Sequence, residues 1–234
     1  IYKIKFKWNF FMHITIKNLL KINANVKAKF ESNVNLSKLP KIIAVSKTFK
    51  IDHILPIINY GHFHYGENKV QEAVEKWTLI KSKNNKLSLH LVGKLQSNKT
   101  KLALKIFDYI HSLDSEKLAN KISEEQKKLE KKPKLFIQVN IGNEEQKSGI
   151  EPDNLKSFYK YCVDKELNVI GTMCLPPVSE DPEKYFKKMC HLNKDLGLNE
   201  LSMGMSSDYI AAVDNNATFI RVGSKIFGER TKKA

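Results

Sequence analysis

The fold of this chain is first indicated by a short apolar run that ends in a lysine, Ile42-Ile43-Ala44-Val45-Ser46-Lys47. A run of this length before a polar stretch predicts a buried strand. Its last side chain would be an amine at the end of the strand, where partial desolvation lets an amine lose its proton near neutral pH and attack a carbonyl. Because all but two of the 40 basic residues are lysines, a solvated strand end is the alternative interpretation of Lys47.

Similar short apolar runs recur along the chain and alternate with longer segments of helical periodicity. Repeated strand–helix units predict parallel strands joined by right-handed crossovers. Eight such units in 234 residues favour a single closed (β/α)8 barrel, a TIM barrel, over a doubly wound open sheet. The predicted strands are Ile42–Lys47, Phe63–Gly66, Leu89–Gly93, Tyr109–Leu113, Leu135–Asn140, Val169–Cys174, Glu200–Gly204 and Phe219–Gly223.

Helices are predicted where apolar residues between these strands recur every three or four positions. We expect residues 12–234 to form one barrel domain, and residues 1–11, which precede the first methionine, to be an extension without a role in the fold. The predicted helices are Thr15–Phe30, Asn68–Ile80, Lys99–Phe107, Ser115–Lys131, Asn154–Lys165 and Pro182–Leu196.

The formal charge of +15 raises the question of nucleic-acid binding, since basic surfaces attract phosphate backbones. The excess is spread along the chain and is almost all lysine, whereas bidentate contacts to phosphates and bases need arginine. We therefore expect no dedicated nucleic-acid binding. No apolar run approaches the ~18 residues of a membrane span. The three cysteines lack metal-ligand spacing, so we expect no metal site and a reducing, cytoplasmic setting.

Glycines and polar residues collect at the ends of the predicted strands, where a barrel of this kind carries its chemistry. The seventh strand runs into Ser202-Met203-Gly204-Met205-Ser206 and the eighth into Gly223-Ser224. Small residues let backbone N–H groups approach a ligand, and a predicted helix over 209–213 begins close by. The two turns therefore predict a phosphate-binding site. Glycines that serve only tight turns are the alternative.

Arg221 lies inside the eighth predicted strand, between two apolar residues. A buried guanidinium needs a partner, which is either a structural salt bridge or an acceptor atom on a ligand, because arginine only donates hydrogen bonds. A carbonyl-reactive lysine, a phosphate site and a donor-only cation at one rim together suit pyridoxal 5′-phosphate (PLP). Its aldehyde, phosphate and ring nitrogen would meet these three features in turn.

Eight short motifs follow one another in order along the chain. They are Ala-Val-Ser-Lys-Thr at 44–48, Gly-Glu-Asn-Lys-Val-Gln-Glu at 66–72, His-Leu-Val-Gly-Lys-Leu-Gln-Ser-Asn-Lys at 90–99, Gln-Val-Asn at 138–140, Lys-Ser-Gly at 147–149, Gly-Thr-Met at 171–173, Leu-Ser-Met-Gly-Met-Ser-Ser-Asp at 201–208 and Arg-Val-Gly-Ser-Lys-Ile-Phe-Gly-Glu-Arg at 221–230. In these motifs the chain resembles the pyridoxal phosphate homeostasis protein family, single-barrel relatives of the N-terminal domain of alanine racemase.

This resemblance implies PLP as the cofactor and assigns roles in holding it to seven residues. No residue is expected to be catalytic, and Lys147, which matches a family lysine, receives no chemical role. The implied residues are Lys47 for an imine with PLP, Ser206, Gly223 and Ser224 for the phosphate, Arg221 for the pyridine nitrogen, and Asn68 and Met173 close to the ring.

His62 and His64 have the alternating spacing of one face of a strand and could ligate a metal. A second pair of ligands is not evident, so packed or solvated histidines are the favoured interpretation.

The family resemblance favours a PLP carrier without substrate turnover over a PLP-dependent amino-acid racemase. Racemisation needs an acid and a base on opposite faces of the substrate. Lys47 supplies one, and racemases take the other from a partner subunit and an additional domain. The expected partners are PLP and apo-forms of PLP-dependent enzymes, with no membrane or nucleic acid, and the expected state is a monomer.

Overall fold

The computed structural model describes residues 12–229 and contains a closed barrel of eight parallel strands in sequence order. Strand β1 pairs with β2 on one side and with β8 on the other, where Ile43 lies opposite Arg221. This pairing closes the sheet, which confirms the (β/α)8 barrel and excludes the open sheet. The strands are β1 Lys41–Val45, β2 His64–Glu67, β3 Ser88–Leu91, β4 Tyr109–Leu113, β5 Lys134–Val139, β6 Val169–Cys174, β7 Glu200–Ser202 and β8 Phe219–Val222.

Helices surround the barrel. No helix among the described residues is long and apolar enough to cross a membrane. Residues 1–11, for which the sequence predicts an extension, lie outside the described part of the chain, as do residues 230–234. The helices are α1 Ile14–Ser32, α2 Ile51–Asn59, α3 Val70–Lys83, α4 Thr100–Ile106, α5 Glu116–Leu129, α6 Leu155–Asp164, α7 Pro182–Asp195, α8 Tyr209–Asp214 and α9 Ser224–Phe227, with short 3₁₀ turns at Ser97–Lys99 and Pro152–Asn154.

Helices α2 and α9 were not predicted, and several strand bounds differ from the predicted ones. Pro56 lies inside α2, and an interior proline is a local signal against a helix. Strands β1, β3 and β7 each end two residues before the predicted position. After β1 and β7 the chain reaches positive φ angles, +70° at Thr48 and +86° at Gly204, which extended strands do not adopt.

The apolar core has two layers that follow from the alternation of side chains along each strand. On β1, Ile42 and Ala44 pack in the layer between the barrel and the helices, whereas Ile43 and Val45 point into the barrel. The hydrophobic cluster inside the barrel consists of Ile43, Val45, Tyr109, Phe136, Met173 and Phe219. The barrel interior is therefore a packed core.

Candidate functional site

A cavity of about 800 Å³ opens at the C-terminal ends of the barrel strands. Turns after seven of the eight strands contribute to its wall, and the turn after β4 is the exception. The structure brings together six of the seven residues that the sequence analysis assigns to the site, and these are Lys47, Asn68, Ser206, Arg221, Gly223 and Ser224.

Met173 is the seventh residue, and it lies below the cavity wall in the barrel interior. Its side chain is 1% exposed and belongs to the hydrophobic cluster inside the barrel, and it is not among the residues that line the cavity. Met173 lies on β6 one residue before the strand ends, where alternation turns its side chain into the barrel. The place of Met173 close to the ring of PLP stays a prediction.

The charged side chains that line the cavity are all cationic. Of the described residues that line it, none is an aspartate or a glutamate. Low-dielectric walls of one sign focus the electrostatic field and concentrate counter-ions. The cavity therefore suits an anionic ligand. Its cationic side chains are Lys47, Lys94, Lys147, Lys225 and Arg221.

Lys47 lies in the turn after β1 rather than in the strand itself. Its neighbour Thr48 has a φ of +70°, a region that is rare for a residue with a branched side chain. The Thr48 N–H donates to Glu72 Oε1 over 2.6 Å, and the Ser46 N–H donates to the Gly66 carbonyl over 2.9 Å. Hydrogen bonds on both sides of Lys47 therefore hold an unusual turn that places the lysine in the cavity wall.

A buried glutamate at the end of β2 supports this turn from behind. Glu67 is fully buried, and its Oε1 accepts hydrogen bonds from Ser46 Oγ at 2.7 Å and from Lys76 Nζ and Trp77 Nε1 at 2.9 Å. Lys76 also donates to the Ser46 carbonyl and to Glu72, at 3.0 and 2.9 Å. One ion-paired cluster thus holds both residues that flank Lys47.

Glu67 lies within the motif at 66–72, and no part in the site was predicted for it. A signal was present, because a glutamate that directly follows a predicted buried strand needs a cation or several donors if it is buried as well. Lys76 and Trp77 supply them one helix later, on α3.

The turns after β7 and β8 meet at the opposite side of the cavity. The Gly223 N–H donates to Ser206 Oγ over 3.3 Å, and Ser224 is the first residue of α9. At Gly204 a Cβ atom would lie 2.5 Å from the Cβ of Ala212, in addition to the positive φ. Only glycine therefore allows the β7 turn to pack this closely on α8. The result is a group of hydroxyls and backbone N–H donors of the kind that binds phosphate.

Arg221 reaches the cavity from within β8 and is 5% exposed. Its Nη1 donates to Ser202 Oγ at 2.7 Å and its Nη2 to the Cys174 carbonyl at 2.9 Å. None of the ion pairs among residues 12–229 involves Arg221. The guanidinium is therefore fixed by two neutral acceptors, and it has further N–H groups for an acceptor in the cavity.

Comparison with known proteins places this geometry in a family. The alanine racemase N-terminal domain family matches residues 19–231 of the chain. The pyridoxal phosphate homeostasis protein of Aquifex aeolicus is 38% identical over 200 residues, which cover 81% of this chain and 87% of that protein. The chain belongs to the pyridoxal phosphate homeostasis protein family. This confirms the resemblance carried by the sequence motifs.

Solved structures agree with the family assignment. PipY of Synechococcus elongatus, in a structure with PLP bound, is 32% identical with a TM-score of 0.80, and the match covers 92% of this chain and 100% of that one. An alanine racemase of Clostridium difficile has a TM-score of 0.70 at 15% identity, over 94% of this chain and 58% of that one. At that identity the racemase shows a shared fold alone.

Lys147, the lysine that matches this family's motif, lies in the loop between β5 and α6 and lines the cavity. Its Nζ donates to the carbonyls of Pro176 at 3.1 Å and Leu175 at 3.4 Å and pairs with Glu144. Lys147 therefore ties this loop to the turn after β6, and both turns belong to the cavity wall.

His62 and His64, the two histidines considered as metal ligands, make hydrogen bonds inside the protein. The Nε2 of His62 lies 3.0 Å from the His64 carbonyl, and Nδ1 of His64 lies 3.0 Å from Nε2 of His90. Among the described residues no group of three or more His, Cys, Asp or Glu side chains is arranged to hold a metal ion.

These histidines make folding stability depend on pH. Burial lowers the pKa of both His62 and His64 from 6.5 to about 4. Between pH 6.5 and 4 the unfolded chain binds protons that the folded chain does not, so stability is complete above pH 6.5 and falls as the pH falls. We expect urea unfolding to give a free energy roughly 2 kcal/mol or more lower at pH 5 than at pH 7.

The matched variants for this pH dependence are His62→Gln, which keeps a donor for the His64 carbonyl, and His191→Gln at an exposed position. The first should reduce the difference between pH 5 and pH 7, and the second should leave it unchanged. Equal pH dependence in all three proteins would contradict the assignment.

Proposed function

We propose that this chain binds PLP in the cavity at the C-terminal end of the barrel, holds it through an imine with Lys47, and takes part in vitamin B6 homeostasis as a carrier without substrate turnover. The observation that carries the proposal is the convergence of Lys47, Arg221 and the Ser206–Gly223–Ser224 group on one cationic cavity.

The donor set of the cavity matches the chemical groups of PLP. An amine at Lys47 is the group that condenses with an aldehyde. The donors at Ser206, Gly223 and Ser224 suit a phosphate. The remaining N–H groups of Arg221 suit the lone pair of a pyridine nitrogen, because a guanidinium does not accept hydrogen bonds. Bound PLP would supply an aldehyde that reacts with amines and a ring that withdraws electrons.

The residues around the cavity support a carrier rather than an enzyme. Racemisation would need a second acid–base group facing Lys47 across the ligand. Among the described residues that line the cavity there is no histidine, tyrosine, cysteine or carboxylate, and the ionisable groups besides Lys47 and Arg221 are the lysines Lys94, Lys147 and Lys225. Arg221 would also leave the ring nitrogen unprotonated, because a guanidinium does not give up its proton, and the ring would remain a weaker electron sink.

The partners that we propose besides PLP are the apo-forms of PLP-dependent enzymes. A cytoplasmic location is a further part of the proposal, supported by three cysteines that remain thiols in the structure. A monomeric state and the absence of nucleic-acid binding stay predictions.

Titration with PLP tests this proposal directly. Wild-type protein should develop a visible imine absorbance band that borohydride abolishes, because reduction converts the imine to a stable amine. Pyridoxamine 5′-phosphate, which lacks the aldehyde, is the matched ligand and should give no such band. A wild-type protein without the band would overturn the proposal of covalent holding. The protein should not interconvert alanine enantiomers. Turnover at about 1 s⁻¹ or more, the range of ordinary enzymes, would overturn the proposal that it is a carrier without substrate turnover.

A further inference from the structure

A line of hydrogen bonds leads from Arg221 through the interior of the barrel. Ser202 Oγ, which accepts from Arg221, lies 2.9 Å from Nδ1 of His111. Nε2 of His111 lies 2.9 Å from Nδ1 of His90, and Nε2 of His90 lies 3.0 Å from Nδ1 of His64. These three rings, which we call the histidine chain, extend from the cavity to the first residue of β2 at the other end of the barrel.

The surroundings keep the histidine chain neutral. His90 and His111 are fully buried. Their rings stack on Tyr109 and Phe136 with centroids 4.2 and 4.3 Å apart, respectively. Burial lowers the pKa of both histidines well below 6.5, and the charge of Arg221 lowers that of His111 further. Each neutral ring has one nitrogen that donates and one that accepts.

The direction of the hydrogen bonds in the histidine chain follows from Arg221. The guanidinium only donates, so Ser202 Oγ accepts from it and has one proton to donate. The other side-chain partner of Ser202 among the described residues is His111 Nδ1. A proton directed anywhere else would be buried without an acceptor, which is unfavourable. His111 Nδ1 therefore accepts, His111 carries its proton on Nε2 and donates to His90, and His90 donates in the same sense to His64.

All three rings then turn their lone pairs toward Arg221 and their N–H groups away from it. Aligned hydrogen bonds polarise one another in a low-dielectric interior. The histidine chain therefore presents a partial negative charge to the guanidinium. A carboxylate in the place of Ser202 would neutralise the cation. The neutral chain instead stabilises the buried cation and leaves its positive charge available to a ligand.

We propose that Ser202 and the histidine chain are positioning residues for Arg221, which hold its guanidinium in one orientation and keep its charge directed into the cavity. The tautomers of the histidine chain are inferred from the structure alone. Their effect on PLP binding is inferred from the structure together with the proposed function.

The tautomers are measured by ¹⁵N NMR of imidazole nitrogens in wild-type protein without ligand. We expect His64, His90 and His111 each to carry the proton on Nε2 at pH 7. Ser202→Ala should shift the nitrogens of His111 and also those of His90, which Ser202 does not contact. The matched control is Ser112→Ala, because Ser112 is a buried barrel serine whose Oγ makes no hydrogen bond in the structure, and it should leave His90 unchanged.

The effect on the ligand site is read from PLP titrations of the same proteins. Ser202→Ala should bind PLP about tenfold more weakly and shift the absorbance band, since a hydrogen bond to a charged group is lost, and Ser202→Thr should restore both. A proton on Nδ1 of any of the three rings in wild-type protein would overturn the inference, even if Ser202→Ala failed to fold. Unchanged binding by folded Ser202→Ala would overturn the positioning role. A wild-type protein that does not bind PLP would instead overturn the proposed function and leave the tautomer result standing.

Discussion

Replacement of Lys47 by alanine is expected to abolish the visible imine band while leaving the barrel folded. The alanine removes the amine from the cavity wall and leaves the turn, whose hydrogen bonds come from the backbone of Thr48 and Ser46. The phosphate group of PLP would still meet the donors at Ser206 and Gly223, so weaker, non-covalent binding should persist. Absorbance titration followed by borohydride reduction measures the difference.

Lys50→Ala is the matched control for this experiment. Lys50 is exposed, lies three residues further along the chain, and does not line the cavity. This variant should bind PLP like wild type. After reduction and proteolysis of wild-type protein, mass spectrometry should find the cofactor on the peptide that contains Lys47. A Lys47→Ala variant that keeps a borohydride-sensitive band would show that another lysine forms the imine, and Lys147 and Lys225 on the cavity wall would be examined next.

The second large effect is expected for Glu67→Gln. This change keeps the size of the side chain but removes the buried charge that faces Lys76, whose own side chain is 9% exposed. Breaking a buried ion pair by changing one partner is destabilising, because the other charge stays in a low-dielectric environment; Lys76 would keep Glu72 as its remaining partner. We expect the free energy of unfolding, measured with urea at pH 7, to fall by about 3 kcal/mol.

Glu67→Gln should also weaken the imine, because the same cluster holds Ser46 next to Lys47. Glu183→Gln is the control, since Glu183 pairs with Lys187 on the exposed face of α7. Exposed pairs of this kind contribute little, so its stability and PLP binding should match wild type. If Glu67→Gln were as stable as wild type, the cluster would not be the support of the turn. If it lost stability but bound PLP normally, its role would be confined to folding.

Much of the fold was predictable because the signals are local. Apolar runs of strand length and segments of helical periodicity identified all eight strands and most of the helices, and their alternation implied a closed parallel barrel. The ends of parallel strands meet at one rim, so residues that follow different strands, such as Lys47, Asn68 and Ser206, could be placed together before the structure was known. Helix α2 was not predicted, and Pro56 inside it is a local signal that points away from a helix.

The sequence by itself therefore determined the order of the elements, the closed barrel and the rim at which its polar residues gather, since these depend on neighbours along the chain. Only the tertiary structure decided that Met173 turns into the barrel, that Glu67 supports the lysine turn, and that three histidines line up behind Arg221. These outcomes depend on which side chains of separate strands meet across the barrel. Which side chains contact one another across the barrel depends on the stagger of the closed sheet. The spacing of residues within a single segment does not predict these contacts.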